Sequence, residues 1–290
     1  MRIPLPVFYL AEREDGKITV VDGLQRLNTF YRYLTNKLSL KGLTGDSITL
    51  NGKKFEDLPA GLQTRIEDTS LILFLIDSKV PARAMLDIFE RVNSGEPLSR
   101  QQMRNCLYSG KATRWLADQA KHSDFLKATT KSLDPKTMRD RELINRFCGF
   151  YLLGVEKYKG DMDSFLADTL QYMNRMKDEE LEELSQKFQR SMKNNHVIFR
   201  EHAFRKRTSP TQERRNVINA ALFDVFSVAL AEYDEESVRE NASDMQKIFF
   251  NLMSMDSFRL SVTSSINSLN SVRERFEIVG KAFHGGMIKG

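Results

Sequence analysis

Residues 17–34 read KITVVDGLQRLNTFYRYL, and this stretch decides how the first third of the chain folds. The alternating KITVV predicts a short strand, and Asp22-Gly23 a tight turn. Leu24, Leu27, Phe30, Tyr31 and Leu34 recur at helical spacing and predict an amphipathic helix buried along that stripe. Asp22 reads as the helix N-cap, with Gln25 three residues on to complete a capping box. Gly23 can take backbone angles that a side chain resists. The helix that follows points unpaired N–H groups toward the turn, a ready anion site, and Gln25 and Arg26 lie within reach of the same anion. The same turn serves equally as a strand-to-helix junction with no ligand.

Outward from this stretch, IPLPVFYL (3–10) reads as a strand entered from an extended segment, with Asp15-Gly16 a hairpin turn into KITVV. LSLKGL and SITLNGKKF read as further short strands, the second turning at Asn51-Gly52. Residues 59–67 predict a short helix, and TSLILFLID a strand buried on both faces. From Pro81 the period turns helical. Ala84, Leu86, Ile88, Phe89 and Val92 mark a helix closing at Asn93-Ser94-Gly95, and Ser99 with Gln102 forms a capping box for the next. Beyond about 110 only helical patterns recur. The acidic KDEELEELSQKF (177–188) has a narrow stripe of Leu181, Leu184 and Phe188, residues 216–233 are apolar enough to lie centrally, and Val272, Phe276, Val279 and Phe283 mark a last helix. The fold class is therefore α+β: a small α/β domain over 1–110, then a larger all-helical domain over 111–290.

The 290 residues carry 44 Lys and Arg against 39 Asp and Glu, a net charge of +5. That balance admits a polyanionic partner without requiring one. The positive charge gathers between 200 and 215, where Arg200, Arg205, Lys206, Arg207, Arg214 and Arg215 face only Glu201 and Glu213. Arg205, Lys206, Arg207, Arg214 and Arg215 are the candidate nucleic-acid contacts. No apolar run is long enough to span a bilayer and the N-terminus has no secretory pattern, which predicts a cytoplasmic protein without membrane contact. Cys106 and Cys148 lie far apart, each expected inside a packed helix, and the four histidines have no metal-ligand spacing, so no zinc site is expected.

VVDGLQRLNTF (20–30), IFERVNSGEPLS (88–99) and HAFRKRTSPTQERRNVINAALFDVF (202–226) together resemble the GmrSD-type restriction endonuclease N-terminal domain family. The resemblance implies a ParB/sulfiredoxin-like α/β region carrying a DGQQR-type signature, followed by helices. The signature falls on Asp22, Gly23, Gln25 and Arg26, with Leu24 where many relatives have a first glutamine. A second motif falls on Phe89, Arg91, Asn93, Gly95 and Leu98. Implied roles are catalysis for Asp22, Gln25 and Arg26, and nucleotide binding for Gly23, Arg91 and Asn93. The implied ligand is a nucleoside triphosphate (GTP, UTP or CTP) with Mg2+. The implied partners are DNA in modified form and a nuclease subunit or a second copy of the chain, in a modification-dependent restriction system of phage defence. Relatives place a further segment before the IPLPVFYL strand, which is expected to be lacking here, and no HNH-like histidine cluster lies downstream. The alternative is a non-catalytic nucleic-acid or protein-binding regulatory module.

Overall fold

A computed structural model describes residues 5–12, 16–77, 79–92 and 98–284. The chain divides into two compact units, 1–97 and 98–290.

The first unit is built on a three-stranded sheet. Strand β1 (Phe8–Glu12) lies in the centre, antiparallel to β2 (Ile18–Asp22), with Leu10 opposite Val20 and a bulge between Tyr9 and Leu10. Helix α1 (Leu24–Leu34) follows β2 directly, and α2 (Ala60–Glu67) precedes β3 (Leu73–Ile76), which pairs parallel to β1 with Phe8 opposite Leu73. Helix α3 (Ala82–Val92) packs against β2. Asp15 and the Asn93-Ser94-Gly95 helix end lie outside the described residues.

Four expectations change in this unit. The N-cap of α1 is Gly23, while Asp22 stays in β2, so the Asp22–Gln25 capping box does not form. The buried face of α1 is also shifted. Phe30 faces inward against Phe8 as its spacing predicts, but Tyr33 joins it, against Phe55, while Leu24, Tyr31 and Leu34 are exposed. Residues 38–55 form no strand: Leu40 bonds the backbone of Gly52 and Lys53, but Asn51 clasps the backbone N–H and carbonyl of Leu43 (2.9 and 2.8 Å) and Gly45–Leu50 coils into a 3-10 turn. The Asn51-Gly52 turn itself is present. Strand β3 is not buried on both faces: it is an edge strand, and Leu73, Phe74 and Leu75 are each more than half exposed while Ile76 is buried.

The second unit is helical. Helices α4 (Arg100–Leu107), α5 (Lys111–Gln119), α6 (Ser123–Ala128) and α7 (Arg139–Cys148) are followed by α8 (Met162–Arg175) and the long α9 (Asp178–Phe199). Then come α10 (Ala220–Ala229), α11 (Glu235–Ser254), α12 (Asp256–Ser261) and α13 (Leu269–His284). As the periodicity predicts, Leu181, Leu184 and Phe188 are buried on α9, α10 is almost wholly buried, and Val279 and Phe283 of α13 join its core. Cys148 is buried at the end of α7, but Cys106 is exposed on α4, whose inward face is Met103 and Leu107.

Ser99 and Gln102 form the expected capping box, and both also bond across to the 134–137 turn, the hydroxyl to the Thr137 carbonyl at 2.6 Å and the amide to the Lys136 carbonyl at 2.9 Å. Arg100 and Arg104 meet Asp163 of α8 at 2.6 and 2.5 Å. These bonds tie α4 to the helical unit, which begins at residue 98, whereas the change of period places the boundary at 110. Ser99→Ala is expected to cost about 1 kcal/mol in urea unfolding, the usual worth of an N-cap.

At the centre of the helical unit, Asp224 (α10) accepts a two-pronged contact from Arg146 (α7; 2.7 and 2.6 Å) and a third bond from Arg275 (α13; 2.7 Å). None of the three is more than 2% exposed. The surplus positive charge is spread over the carbonyl of Ile266 (2.5 Å) and the side-chain oxygen of Asn267 (3.2 Å).

Candidate anion site at the start of helix α1

The site is built from the β2–α1 junction and the beginning of β1. Gly23 turns the chain with φ 95° and ψ 7°, a left-handed conformation that suits glycine. A methyl group added there would meet the Phe8 ring at 2.4 Å, so glycine is required on two counts. Gly23 has no side chain with which to cap α1. Among the described residues no acceptor reaches the N–H groups of Leu24, Gln25 and Arg26, the unpaired donors of the first helical turn. No acidic residue lies in that turn. The positive end of the helix dipole is thus uncompensated where these N–H groups emerge.

Asp22 and Arg26, one helical turn apart, meet at 2.7 Å and are about a quarter exposed. Arg26 also donates to the carbonyls of Pro6 (2.8 Å) and Val7 (3.3 Å) and lies over the Phe8 ring, 4.6 Å from its centre. The arginine therefore pins the entry of β1 to the start of α1. Among the described residues these three contacts leave its Nε–H and one Nη1–H uncommitted. Arg26→Lys keeps the charge but not the fork. It is expected to destabilise the first unit by about 1–2 kcal/mol, read as faster amide exchange in β1.

The structure brings Asp22, Gly23, Gln25 and Arg26 together, with Gln25 exposed to solvent at the turn. Arg91 is exposed in the last turn of α3, and Asn93 lies outside the described residues. Phe8, whose ring floors the Arg26 guanidinium, is the contributor that motif reading missed; its only signal was an aromatic residue at the start of a strand.

The basic segment in the helical unit splits in two. Arg205 is no accessible cation: it is 2% exposed and donates to the Ala203 and Thr129 carbonyls and to the Thr130 and Ser132 hydroxyls, at 2.7–3.1 Å. It closes the end of α6 against the chain entering α10. Arg207 is half-buried, donating to the Pro210 carbonyl at 2.5 Å and lying over Phe250. Lys206 is half-buried, and Arg214 and Arg215 are exposed. Burial holds the imidazolium of neighbouring His202 below its usual range, with Arg207 acting in the same direction. Phe199 and Phe204 are packed in the core, not free to stack on bases.

Among the described residues no group of three or more His, Cys, Asp or Glu side chains is gathered to hold a metal ion, and no helix is long and apolar enough to cross a membrane. No curated protein and no solved structure matches the chain. A family model does match: its description is the GmrSD restriction endonuclease, N-terminal domain, and the match covers residues 1–109. That span contains β1, the β2–α1 turn and the DGLQR signature, and over residues 1–109 the chain is similar to the N-terminal domain of the GmrSD restriction endonuclease family.

Proposed function

We propose that the first unit binds a nucleoside triphosphate (GTP, UTP or CTP) at the start of α1. In this reading the chain is a cytoplasmic, DNA-directed component of a modification-dependent restriction system, in which triphosphate hydrolysis is linked to recognition or cleavage of DNA. The observation that carries it is the uncapped first turn of α1 behind Gly23, flanked by Gln25 and by the free edge of the Arg26 guanidinium. Converging N–H groups and an arginine are the donors a phosphate chain requires. Arg26 neutralises Asp22, so the carboxylate does not repel the phosphates, and attraction comes mainly from the helix dipole. Mg2+ in this reading arrives with the triphosphate, held chiefly by phosphate oxygens, as is usual for that ion. In this reading Arg91 and Asn93 also bind the nucleotide, and strand scission falls to a nuclease partner subunit or a second copy.

A second reading has its own support. Asp22 and Arg26 already engage each other structurally, which favours a module that binds without chemistry by Asp22. Phosphate release separates the two. With Mg2+ and each of GTP, UTP and CTP, the full chain is expected to release phosphate faster when modified DNA is added, and Gln25→Ala to lose that response. Binding of triphosphate with no release under any DNA would establish the non-catalytic reading instead.

A further inference from the structure

The helical unit has a cleft of about 440 Å3 that no motif announces. It lies where α6, the last turns of α9 and the first turns of α11 meet, and its lining includes Lys127, Lys193, His196, Arg200 and Arg239. Two carboxylates also line it, and both are engaged: Glu235 with Arg239 at 2.5 Å, and Asp124 with Lys193 at 3.9 Å and His122 at 3.5 Å. Lys127 and Arg200 have no carboxylate partner among the described residues. The Nδ1 of His196 is buried there without a hydrogen-bond partner. Arg200 has a positive φ (φ 52°, ψ −132°), so the chain carries a long cationic side chain where glycine would be the unstrained choice. Arg207 and Arg215 lie close enough to act on Glu201 and His202, which extends the positive field beyond the end of α9.

We propose that this cleft is a phosphate-binding site of the helical unit. Cations placed on three helices surround a space from several sides, which suits a tetrahedral anion with several acceptor oxygens better than a flat carboxylate. Lysines act there as point charges and Arg200 as a fork. The phosphate belongs either to a nucleic-acid backbone or to a free mononucleotide, and the two sources share the same chemistry at the cleft. The site replaces the buried Arg205 as the place where the basic segment meets a polyanion. It does not depend on the triphosphate reading, because its residues all lie in the second unit.

The test uses the full chain with three probes: inorganic phosphate, a deoxynucleoside monophosphate, and a fluorescent DNA duplex titrated across a salt series. Lys127→Gln/Arg200→Gln is expected to weaken binding at least about tenfold, and to reduce the duplex salt slope by about 2, since each neutralised phosphate contributes roughly one to that slope. Arg114→Gln/Lys281→Gln, at two exposed cations outside the cleft, is expected to change affinity far less. Loss confined to the duplex identifies a backbone phosphate, and loss confined to the two small probes identifies a free one. Lys127→Gln/Lys193→Gln, which leaves the strained end of α9 intact, guards against misfolding at Arg200. Wild-type affinity for every probe in both cleft variants, or no binding of any probe by the wild type, would overturn the proposal.

Discussion

Asp224→Asn is expected to remove about 3–5 kcal/mol from the stability of the helical unit, the range seen when one partner of a buried ion pair is deleted. Among the described residues Asp224 is the one carboxylate bonded to both Arg146 and Arg275, and all three side chains are shut off from water. Asparagine has the same shape but no charge. Its amide group would also present a donor where a guanidinium donor already points. Two arginines would then face each other across a dry core, and neither can shed its proton at ordinary pH. Since a domain's whole stability is about 5–15 kcal/mol, the loss should bring the unit close to unfolding at body temperature.

The measurement is urea unfolding followed by tryptophan fluorescence. Trp115 is the only tryptophan in the chain, and it sits in the helical core with its indole N–H on Ser185 and on the Leu181 carbonyl, so its signal reports this unit. Replacing the triad together, as Arg146→Met/Asp224→Leu/Arg275→Met, is expected to recover much of the loss, because well-packed apolar groups can substitute for buried charges. A loss below about 1 kcal/mol for Asp224→Asn would mean that water reaches the triad and that the core is looser than its burial implies.

Gly23→Ala carries the second large effect, about 2–4 kcal/mol against the first unit. Two costs add. An alanine held at φ 95° is strained by roughly 1–2 kcal/mol. Its methyl group would lie 2.4 Å from the Phe8 ring, and overpacking of this kind typically costs about 1–3 kcal/mol. Phe8 cannot yield easily, because it is fully buried in the central strand with its ring against Phe30 on one side and Arg26 on the other. Trp115 is blind to this unit, so the readout is amide exchange in β1, β2 and α1. Gly16→Ala is the control: Gly16 also has positive φ (73°), but nothing lies within 4 Å of the added methyl, so only the backbone strain should appear. Equal effects at the two glycines would show that the Phe8 contact carries no cost.

Where structure follows from spacing along one element, the sequence was a good guide. The stripes of α9 and α13, the apolar α10 and the Ser99–Gln102 cap are local patterns with little competition. The readings that changed all depend on partners far away in the chain. Asp-Gly before a helix favours Asp22 as its cap, yet its carboxylate goes to Arg26, whose other contacts are carbonyls some twenty residues earlier. Arg205 looked like one more cation in a basic run until the end of α6, more than seventy residues away, supplied four oxygen acceptors with Ala203. The apolar run at 71–76 has the composition of a central strand, but strand order puts it at the edge, and composition does not encode order. Of the candidate site, the clustering of Asp22, Gly23, Gln25 and Arg26 was legible from the motif. The floor supplied by Phe8 and the cleft lined by Lys127 and Arg200 were not, because each joins segments that no local pattern connects.

The central claim is that the uncapped start of α1 receives a triphosphate. Thermal unfolding of the full chain, with GTP, UTP or CTP and Mg2+ each added in excess, tests it most directly, because a ligand present at 100 times its Kd stabilises the form that binds it by about 2.7 kcal/mol. The expected result is a rise in Tm of the first unit with at least one triphosphate, smaller in Gln25→Ala and absent in Gly23→Ala. No rise with any triphosphate in the wild-type chain would contradict the claim and leave the DGLQR turn a structural junction.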